Sequence, residues 1–386
     1  MAWWRRLRFV LVVWAAAVAY YLVLGGVGHH LLSTADFIAA YHEPPGTLHY
    51  WSHWDGAWFD RIATHGYESE NSTAFFPLFP LVVRAVNELG VPIALAGVVV
   101  SVLALLGTLF FLYELGGRAV GEPAAKRALV ALVAFPTSFF AVASYSEALF
   151  LFLSAGCLWG IFVHRDLSFA APFAYCASLT RSVGAFLVIP LAYVWLRNRR
   201  EFGWPSLVAV AAPVLGLLAY MAYLWRVARE PFLFTLAYER GWGRQLKDPV
   251  TTIVHGARVA HEGVPFLWAP WRLFQTTSAN PPFALANSLN IGFCVVLLVL
   301  VALAFVRLPL PLALYCVPLA ISPLTVLGGQ QPLASMPRYV LAVLPVFLVL
   351  GGLFVRRTAL FVAWCVVSVA LGVVLTLEFV SWRWVA

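Results

Sequence analysis

The sequence predicts an all-α polytopic membrane protein with about eleven transmembrane helices, and its composition and apolar runs carry that prediction. Of its 386 residues, 62% are hydrophobic and 11% are charged, and the mean hydropathy is +0.86. These values place the chain among membrane proteins and exclude a soluble globular enzyme. Seven apolar runs approach or exceed the roughly 20 residues that a helix needs to cross a bilayer. They are residues 9–27, 91–112, 206–225, 283–306, 308–327, 339–355 and 358–380.

The first apolar run is interpreted as a retained transmembrane helix, because it is longer than the apolar core of a signal peptide and lacks a clear cleavage site. Two other apolar stretches, 128–163 and 169–196, are each too long for one helix and are interrupted by the polar sequences "SYSE" and "LTRSVG". Each is predicted to form two helices, some of them half-length, that meet at a turn. The five cysteines lie inside apolar runs without CxxC spacing, which favours small core residues over disulfides or metal ligands.

The charged residues predict the orientation in the membrane. With a cytoplasmic N-terminus, thirteen basic and four acidic residues fall in cytoplasmic segments, as the positive-inside rule requires. The basic residues are Arg5, Arg6, Arg8, Arg118, Lys126, Arg127, Arg165, Arg197, Arg199, Arg200, Arg307, Arg356 and Arg357. The net charge of +8 therefore indicates topology rather than a nucleic-acid partner. The unusual polar clusters all fall on the outer face of a single domain, 1–386, with a first external loop at 28–90, expected to be catalytic, and a second at 226–282.

One external stretch, "HWDGAWFDRIATHGY" at 53–67, is unusually rich in charged and aromatic side chains for so apolar a chain. Its pattern predicts an amphipathic interfacial helix over residues 56–65, stopped by Gly66. Large apolar side chains recur at helical spacing and suit the headgroup region of a bilayer. They are Trp51, Trp54, Trp58 and Ile62.

Asp55 falls at the predicted start of this helix, where an aspartate either caps the helix by accepting backbone N–H bonds or serves catalysis. The following stretch, "STAFFPLFPLVVR" at 72–84, is too short to span a membrane and contains two prolines. It predicts a partly inserted hairpin or short helix beneath the loop. Long external loops anchored in this way are commonly functional.

Three ionisable residues are predicted near the outer membrane boundary, where such groups are functional candidates. Glu147 begins a helix at "YSEALFLFL", where it either profits from the helix dipole or contacts substrate. Arg181 lies between two half-length helices, and Arg338 heads a helix in "SMPRYVLAVLP". Because a cation at a helix start opposes the dipole and needs an anionic partner, an external anion is expected for both arginines.

These segments resemble, in order, a known family. "HWDGAWFDRIATHGY", "AFFPLFPL", "SYSEALF", "TRSVG" in place of a more usual Arg-Ser-Asn-Gly, and "PRY" are similar to motifs of the PIG-V-type mannosyltransferases, within the GT-C superfamily of membrane glycosyltransferases. The resemblance implies a lipid-phosphate sugar donor, typically polyprenyl or dolichyl phosphate mannose. It also implies inverting transfer on the outer or luminal face and a catalytic carboxylate in the first external loop, which maps onto Asp55.

Glycosyl transfer from a lipid phosphate needs a base, cations for the phosphate and contacts to the sugar, and the polar residues can be assigned to these roles. The phosphate leaves without a proton, so one base suffices, and Asp55 is expected to take the proton of the acceptor hydroxyl. Fixed cations stabilise the leaving phosphate, and the candidates are Arg181, Arg338 and, as a third, Arg61. Trp54, Trp58 and Tyr67 either stack on sugar or anchor the interface. The remaining expected substrate contacts are His53, His65, Glu147 and Tyr339.

The sequence thus predicts transfer of mannose to a glycolipid, glycan or protein hydroxyl by an integral membrane enzyme, expected in a bacterial plasma membrane with its active site outward. No cofactor and no metal are expected. The alternative of a metal held by His49, His53 and Asp55 is disfavoured by loose spacing, although six histidines lie in the first external region. They are His29, His30, His42, His49, His53 and His65.

A second alternative is a lipid-linked sugar flippase or another transporter, which many helices would permit. Transporters usually place ionisable groups at mid-membrane and often show repeated halves. Here the helix centres are almost free of charge and no internal repeat is evident. A Rossmann domain for a nucleotide-sugar donor is also disfavoured, because no GxGxxG follows a strand.

Overall fold

The computed structural model describes residues 2–34 and 46–385, and within them the chain is almost entirely helical. The helices of the first part are α1 (Ala2–Leu31), α2 (Asp55–His65), α3 (Leu78–Asn87), α4 (Ile93–Ala119), α5 (Glu122–Ala134), α6 (Ser146–Trp159), α7 (Leu167–Thr180), α8 (Val188–Arg197) and α9 (Arg199–Phe202). Those of the second part are α10 (Leu207–Ala228), α11 (Leu233–Trp242), α12 (Pro249–Val259), α13 (Val264–Trp268), α14 (Asn280–Arg307), α15 (Leu310–Ile321), α16 (Met336–Ala342), α17 (Pro345–Phe354) and α18 (Thr358–Val380). Two short strands, β1 (Gln245–Leu246) and β2 (Val326–Leu327), form an antiparallel pair.

Six helices in the described residues are long and apolar enough to cross a membrane, so the chain is an integral membrane protein. They contain α1, α4, α6, α10, α14 and α18. Five of the seven predicted runs fall in these helices. The run 308–327 instead gives the short helix α15, and 339–355 gives α16 and α17, which are bent by 84° at a break before Pro345. The predicted total of eleven transmembrane helices stays a prediction.

Both long apolar stretches are divided where the sequence predicted. Helices α5 and α6 flank the "SYSE" turn, and α7 and α8 flank the "LTRSVG" turn. Helix α6 is longer than expected, because a π-helical turn, Gly160–His164, extends it. Arg181 lies in the break after α7 with an extended backbone. The Gly184 that follows packs so closely on Ala177 that an added Cβ would lie 2.4 Å from the Ala177 carbonyl carbon.

Helix α6 is the buried centre of the helix bundle, and 78% of its apolar window is inside the protein. It packs against α4 and α7 through small residues that let the helices approach closely. At Gly107, for example, an added Cβ would lie 2.4 Å from the ring of Phe152. All five cysteines are free thiols, three of them buried and two half-buried, as the sequence predicted.

The first external segment forms the predicted helix α2, which Gly66 ends with a positive φ of 79°. One expectation about it was wrong. Asp55 is the first residue of α2 rather than its N-cap, and the helix start has no side-chain cap. Of the tryptophans, Trp51 is fully buried and stacks on Phe379, whereas Trp54 and Trp58 are half-buried. Anchoring of this segment at the headgroup layer stays a prediction.

The second external segment is helical rather than a loop. Helices α11, α12 and α13 lie between the long helices α10 and α14. The β1–β2 pair, with Gln245 opposite Leu327, attaches this segment to the connection between α15 and α16. A hydrogen bond from the Lys247 N–H to the Thr325 carbonyl (3.0 Å) continues that attachment.

Candidate active site

Two acids and two arginines from four segments meet at one end of α6. Glu147 Oε1 accepts hydrogen bonds from Arg338 Nε (2.9 Å), Arg338 Nη2 (2.6 Å) and Arg181 Nη1 (2.8 Å). Arg338 Nη1 donates to Asp55 Oδ2 at 2.8 Å. We call these four residues the charged quartet. Charge-assisted bonds of this length are among the stronger polar interactions in proteins.

The four side chains of the charged quartet differ in how far they are exposed to solvent. The Glu147 side chain is 1% exposed, Arg338 11%, Arg181 19% and Asp55 33%. Glu147 therefore fixes both arginines from inside, while Asp55 faces the open side. Internal carboxylates pair with both Arg181 and Arg338, and binding of an external anion by these arginines stays a prediction.

Aromatic rings hold Arg338 in place. Its guanidinium carbon lies 4.7 Å from the ring centre of Phe140 and 5.0 Å from that of Tyr145. The Tyr145 hydroxyl donates to the His53 carbonyl (2.9 Å) and accepts from the Asp55 N–H (3.2 Å). Tyr145 thus connects α2 to the start of α6. Sequence reasoning missed both rings, although Tyr145 lies inside the "SYSE" motif.

Backbone strain flanks the Asp55–Arg338 pair on both sides. Trp54, just before Asp55, has φ 57° and ψ −118°. Ser335, three residues before Arg338, has φ 69° and ψ 18°. Non-glycine residues seldom adopt positive φ, and such strain is concentrated at functional sites. Both strained residues line the same cavity as the pair.

A second aspartate of the motif, Asp60, supports α2 from the opposite side. It is 4% exposed, and its Oδ1 accepts a hydrogen bond from Ser144 Oγ at 3.1 Å. Burial raises the pKa of Asp60 to about 6, against the lowering effect of hydrogen bonds from Ser52 and Ser144. Asp60 joins α2 to the turn that precedes α6. It is thus a positioning residue that sequence reasoning did not single out.

Two cavities share the charged quartet's open side as a common wall. Both are lined by Asp55, Phe75, Arg181, Tyr238, Arg244, Arg338 and Tyr339. The first, of about 210 Å³, we call the apolar lobe. Its own lining includes Phe59, Phe76, Val183, Phe234, Leu246, Pro323 and Val326. The second, of about 280 Å³, we call the tryptophan lobe, and its own lining includes Trp54, Trp58, Trp242, Trp382 and Trp384.

An apolar groove adjoins the apolar lobe, and Ser322 lines both. Leu314, Val317 and Ile321 line the groove from successive turns of α15, over a length of about 10 Å. Phe186, close to the start of α8, also lines it. An apolar surface therefore borders the apolar lobe at Ser322.

Five of the predicted substrate contacts do not line either lobe: Glu147, which lies behind the two arginines, and His53, Arg61, His65 and Tyr67. His53 is buried with its ring 4.0 Å from that of Trp382. Arg61 is exposed and pairs with Glu68 at 2.7 Å, and its role as a third phosphate cation stays a prediction. His65 lies in the last turn of α2 against the Thr64 hydroxyl, and Tyr67 donates to the Phe75 carbonyl at 2.7 Å. Arg61 and His65 are six and ten residues after Asp55 in α2, so they leave the helix on other faces than Asp55.

The histidines do not form a metal site in the described part of the chain, where no group of three or more His, Cys, Asp or Glu could hold an ion. His42 lies outside the described residues. His29 instead stacks on Tyr50, with ring centres 4.6 Å apart, and His49 lies edge-on to it at 4.9 Å. The absence of a metal from the reaction stays a prediction.

Fold and site together define a polytopic membrane protein with an acid–arginine centre at a two-lobed cavity. Residues 11–202 match the family model described as mannosyltransferase (PIG-V). The predicted resemblance to the PIG-V mannosyltransferases is thereby confirmed over these residues. Asp55, Glu147 and Arg181 lie within the matched residues, whereas Arg338 lies outside them.

Named relatives agree with the family match. GPI alpha-1,6-mannosyltransferase 2 from Rattus norvegicus is 35% identical over 187 residues, which cover 45% of this chain and 36% of the relative. The same enzyme from Mus musculus is 31% identical over 250 residues, covering 58% and 48%. GPI mannosyltransferase 2 from Drosophila pseudoobscura pseudoobscura is 36% identical over 113 residues, covering 26% and 25%. The chain thus spans a quarter to about half of the length of these relatives.

The solved structures that are similar to this chain include ArnT from Cupriavidus metallidurans. Its apo form gives a TM-score of 0.47 at 18% identity and covers 89% of this chain and 59% of that chain. The form bound to undecaprenyl phosphate gives a TM-score of 0.47 at 14% identity and covers 95% and 70%.

Proposed function

We propose that this protein is an inverting mannosyltransferase of the GT-C type, which moves mannose from a polyprenyl-phosphate-linked donor to a hydroxyl of a glycolipid, glycan or protein. The observation that carries the proposal is the position of Asp55. Its partly exposed carboxylate is oriented by Arg338 at the wall shared by two lobes of different character. The match to the PIG-V family over residues 11–202 and the names of the relatives support the choice of mannose.

The apolar lobe and its groove suit the lipid part of the donor. An isoprenoid chain is uncharged and flexible, and its burial is favoured in proportion to apolar area. The groove beside α15 offers such a surface, and it borders the lobe at the shared Ser322. A chain lying there would bring its phosphate to the charged centre.

The tryptophan lobe suits the acceptor. Five indoles from three separate segments line it, and the flat, weakly polar faces of sugar rings pack well against aromatic rings. An inverting reaction needs nucleophile and leaving group on opposite faces of the reacting sugar. Two lobes that meet at Asp55 provide these two approaches.

The chemistry then needs few groups. The acceptor oxygen attacks C1 of mannose as the C1–O bond to phosphate breaks, and the polyprenyl phosphate leaves with the bonding electrons. Asp55 accepts the proton of the acceptor hydroxyl and later releases it to water. Arg338 orients the Asp55 carboxylate, and Glu147 holds Arg338 and Arg181 in place.

The proposed active face is the outer one, opposite the arginine-rich segments. The expectation of a bacterial plasma membrane gains no support from the relatives described above, which are animal proteins. We keep the outward orientation as part of the proposal, since it follows from charge distribution along this chain.

Flipping or transport alone is the competing function, and no observation favours it. A transporter needs a polar path that continues to the other face. Beyond Glu147, helix α6 continues with buried apolar side chains, among them Leu149, Phe150 and Leu151. The polar centre is therefore closed on the side away from the two lobes.

The test uses purified protein reconstituted in liposomes. Radiolabelled polyprenyl phosphate mannose, polyprenyl phosphate glucose and GDP-mannose are supplied in parallel, with extracted membrane glycolipids or acceptor peptides as acceptors. The proposal predicts label transfer from polyprenyl phosphate mannose and none from GDP-mannose. Translocation of the labelled lipid across the liposome without any transfer would instead support a flippase. Empty liposomes provide the baseline.

A further inference from the structure

Arg244 differs from the other two arginines at the cavities, because no carboxylate of the described residues pairs with it. Arg244 lines both lobes and is half-buried. Within residues 2–34 and 46–385, no carboxylate lies within ion-pair distance of its guanidinium, whereas Arg181 and Arg338 both bind Glu147. The guanidinium carbon of Arg244 instead lies 5.7 Å from the ring centre of Tyr238.

Arg244 is held in position by its surroundings. It follows Gly243, which ends α11 with φ 61°, and its N–H donates to the Tyr238 carbonyl at 3.2 Å. The next two residues form β1, paired with β2. A side chain carried by a supported backbone loses less freedom when it binds a ligand than one on an open loop.

The formal charges decide what this site can attract. The two acids and two arginines of the charged quartet sum to zero, so the quartet alone offers no net charge to an anion. The charged quartet and Arg244 together carry a net charge of one positive unit. A sugar phosphodiester carries one negative charge, and the phosphomonoester that remains after transfer approaches two near neutral pH.

We propose that Arg244 is the phosphate subsite of this cavity: it binds the phosphate of the isoprenoid donor and then that of the isoprenoid phosphate product. The proposal rests on the proposed function and moves the phosphate from the sequence-predicted Arg181 and Arg338 to a residue that sequence reasoning missed. Both of those arginines pair with Glu147, and Arg338 also pairs with Asp55. Leu246 and Val326, near Arg244 in the apolar lobe, are suitable contacts for the first isoprene units.

The test measures equilibrium binding of farnesyl phosphate and of uncharged farnesol to purified full-length protein in detergent. The variants are Arg244→Gln, Arg244→Lys and the matched control Lys247→Gln, which removes an exposed positive charge three residues away. We expect Arg244→Gln to weaken farnesyl phosphate binding about ten- to a hundredfold, the size of a lost charge-assisted hydrogen bond. Arg244→Lys is expected to retain most of the affinity, and farnesol binding should not change.

Two results would overturn the proposal. One is unchanged farnesyl phosphate binding in Arg244→Gln, and the other is equal weakening of farnesyl phosphate and farnesol, which would indicate a disturbed apolar lobe. Because binding is measured without turnover, failure of the mannosyl-transfer assay would refute the proposed function while leaving this result readable. Conversely, if the wild-type protein transfers mannose and Arg244→Gln binds farnesyl phosphate as tightly as wild type, only the phosphate subsite is refuted.

Discussion

The half of the chain that matches the PIG-V family and the half that follows contribute different parts of one site. Residues 11–202 supply Asp55, Glu147 and Arg181. The remaining half supplies Arg338 and much of the cavity walls, including Trp242, Arg244, Trp382 and Trp384. The family resemblance therefore covers the acids of the proposed reaction. Much of the cavity wall that would determine substrate specificity belongs to the half outside the match.

Arg338 is the link between the two halves. It bonds Glu147 across 191 residues of sequence and Asp55 across 283. The charged quartet therefore exists only when the late helix α16 has packed against α2 and α6. A change in either half that moves α16 should disturb Asp55 as well.

The largest effect is expected at the buried acid of the first half. Glu147→Ala leaves Arg181 and Arg338 without their shared carboxylate, and breaking a buried ion pair in this way costs about 3–5 kcal/mol. We expect a markedly lower unfolding temperature in detergent and loss of mannosyl transfer. Glu68→Ala is the matched control, because Glu68 pairs with Arg61 at the exposed surface and such pairs contribute at most about 1 kcal/mol. Wild-type stability in Glu147→Ala would contradict the role given to this residue.

A smaller, pH-dependent effect is expected at Asp60. Its pKa in the folded protein, about 6, lies above the ordinary value of 3.8. The folded protein therefore favours the protonated acid, and stability is lost as the pH rises from 4 through 6. Asp60→Asn should be more stable than wild type by about 2–3 kcal/mol at pH 7.5, with little gain at pH 4.

Chemical unfolding at the two pH values checks this. Asp248→Asn is the comparison, because Asp248 is exposed and caps α12, so hydrogen bonds with Thr251 lower its pKa and its replacement should not stabilise the protein at pH 7.5. A gain for Asp60→Asn of the same size at both pH values would mean that the buried charge is not its cause.

The smallest effect is expected in the second half, at the wall of the tryptophan lobe. Trp384 packs edge-on against Trp54, with ring centres 5.1 Å apart. Trp384→Ala should raise the acceptor KM about tenfold, the size of one lost aromatic contact, and leave the donor KM unchanged. Trp268→Ala, at an indole that is 82% exposed, is the control. A shift in the donor KM instead would reverse the assignment of the two lobes.

Much of the fold could be predicted, because hydropathy and polar interruptions are local signals. The breaks at "SYSE" and "LTRSVG" were predicted from segment length and from the polar residues that interrupt the apolar stretches, and they place Glu147 and Arg181 correctly at helix boundaries. The bend between α16 and α17 was not predicted, since the apolar run 339–355 continues through it. Pro345 was the one feature of this run that could have predicted the bend.

The sequence singled out the four residues of the charged quartet but not the contacts among them. Glu147, Arg181 and Arg338 were selected for their position near the membrane boundary and Asp55 for its place at a helix start and in the family motif, yet each arginine was assigned an external partner. Sequence spacing carries no information on contacts across 191 or 283 residues. For the same reason Arg244 was not selected, because its neighbours in sequence are ordinary exposed residues and its importance comes from the cavity that it lines.

The most direct test of the central claim compares Asp55→Asn with the control Glu68→Gln. Initial rates of mannosyl transfer are measured at saturating polyprenyl phosphate mannose with matched amounts of folded protein, together with farnesyl phosphate binding. The account predicts a rate at least about a hundredfold below wild type for Asp55→Asn, binding within twofold of wild type, and an unaffected Glu68→Gln. A rate for Asp55→Asn within a few-fold of wild type would show that Asp55 is not the base.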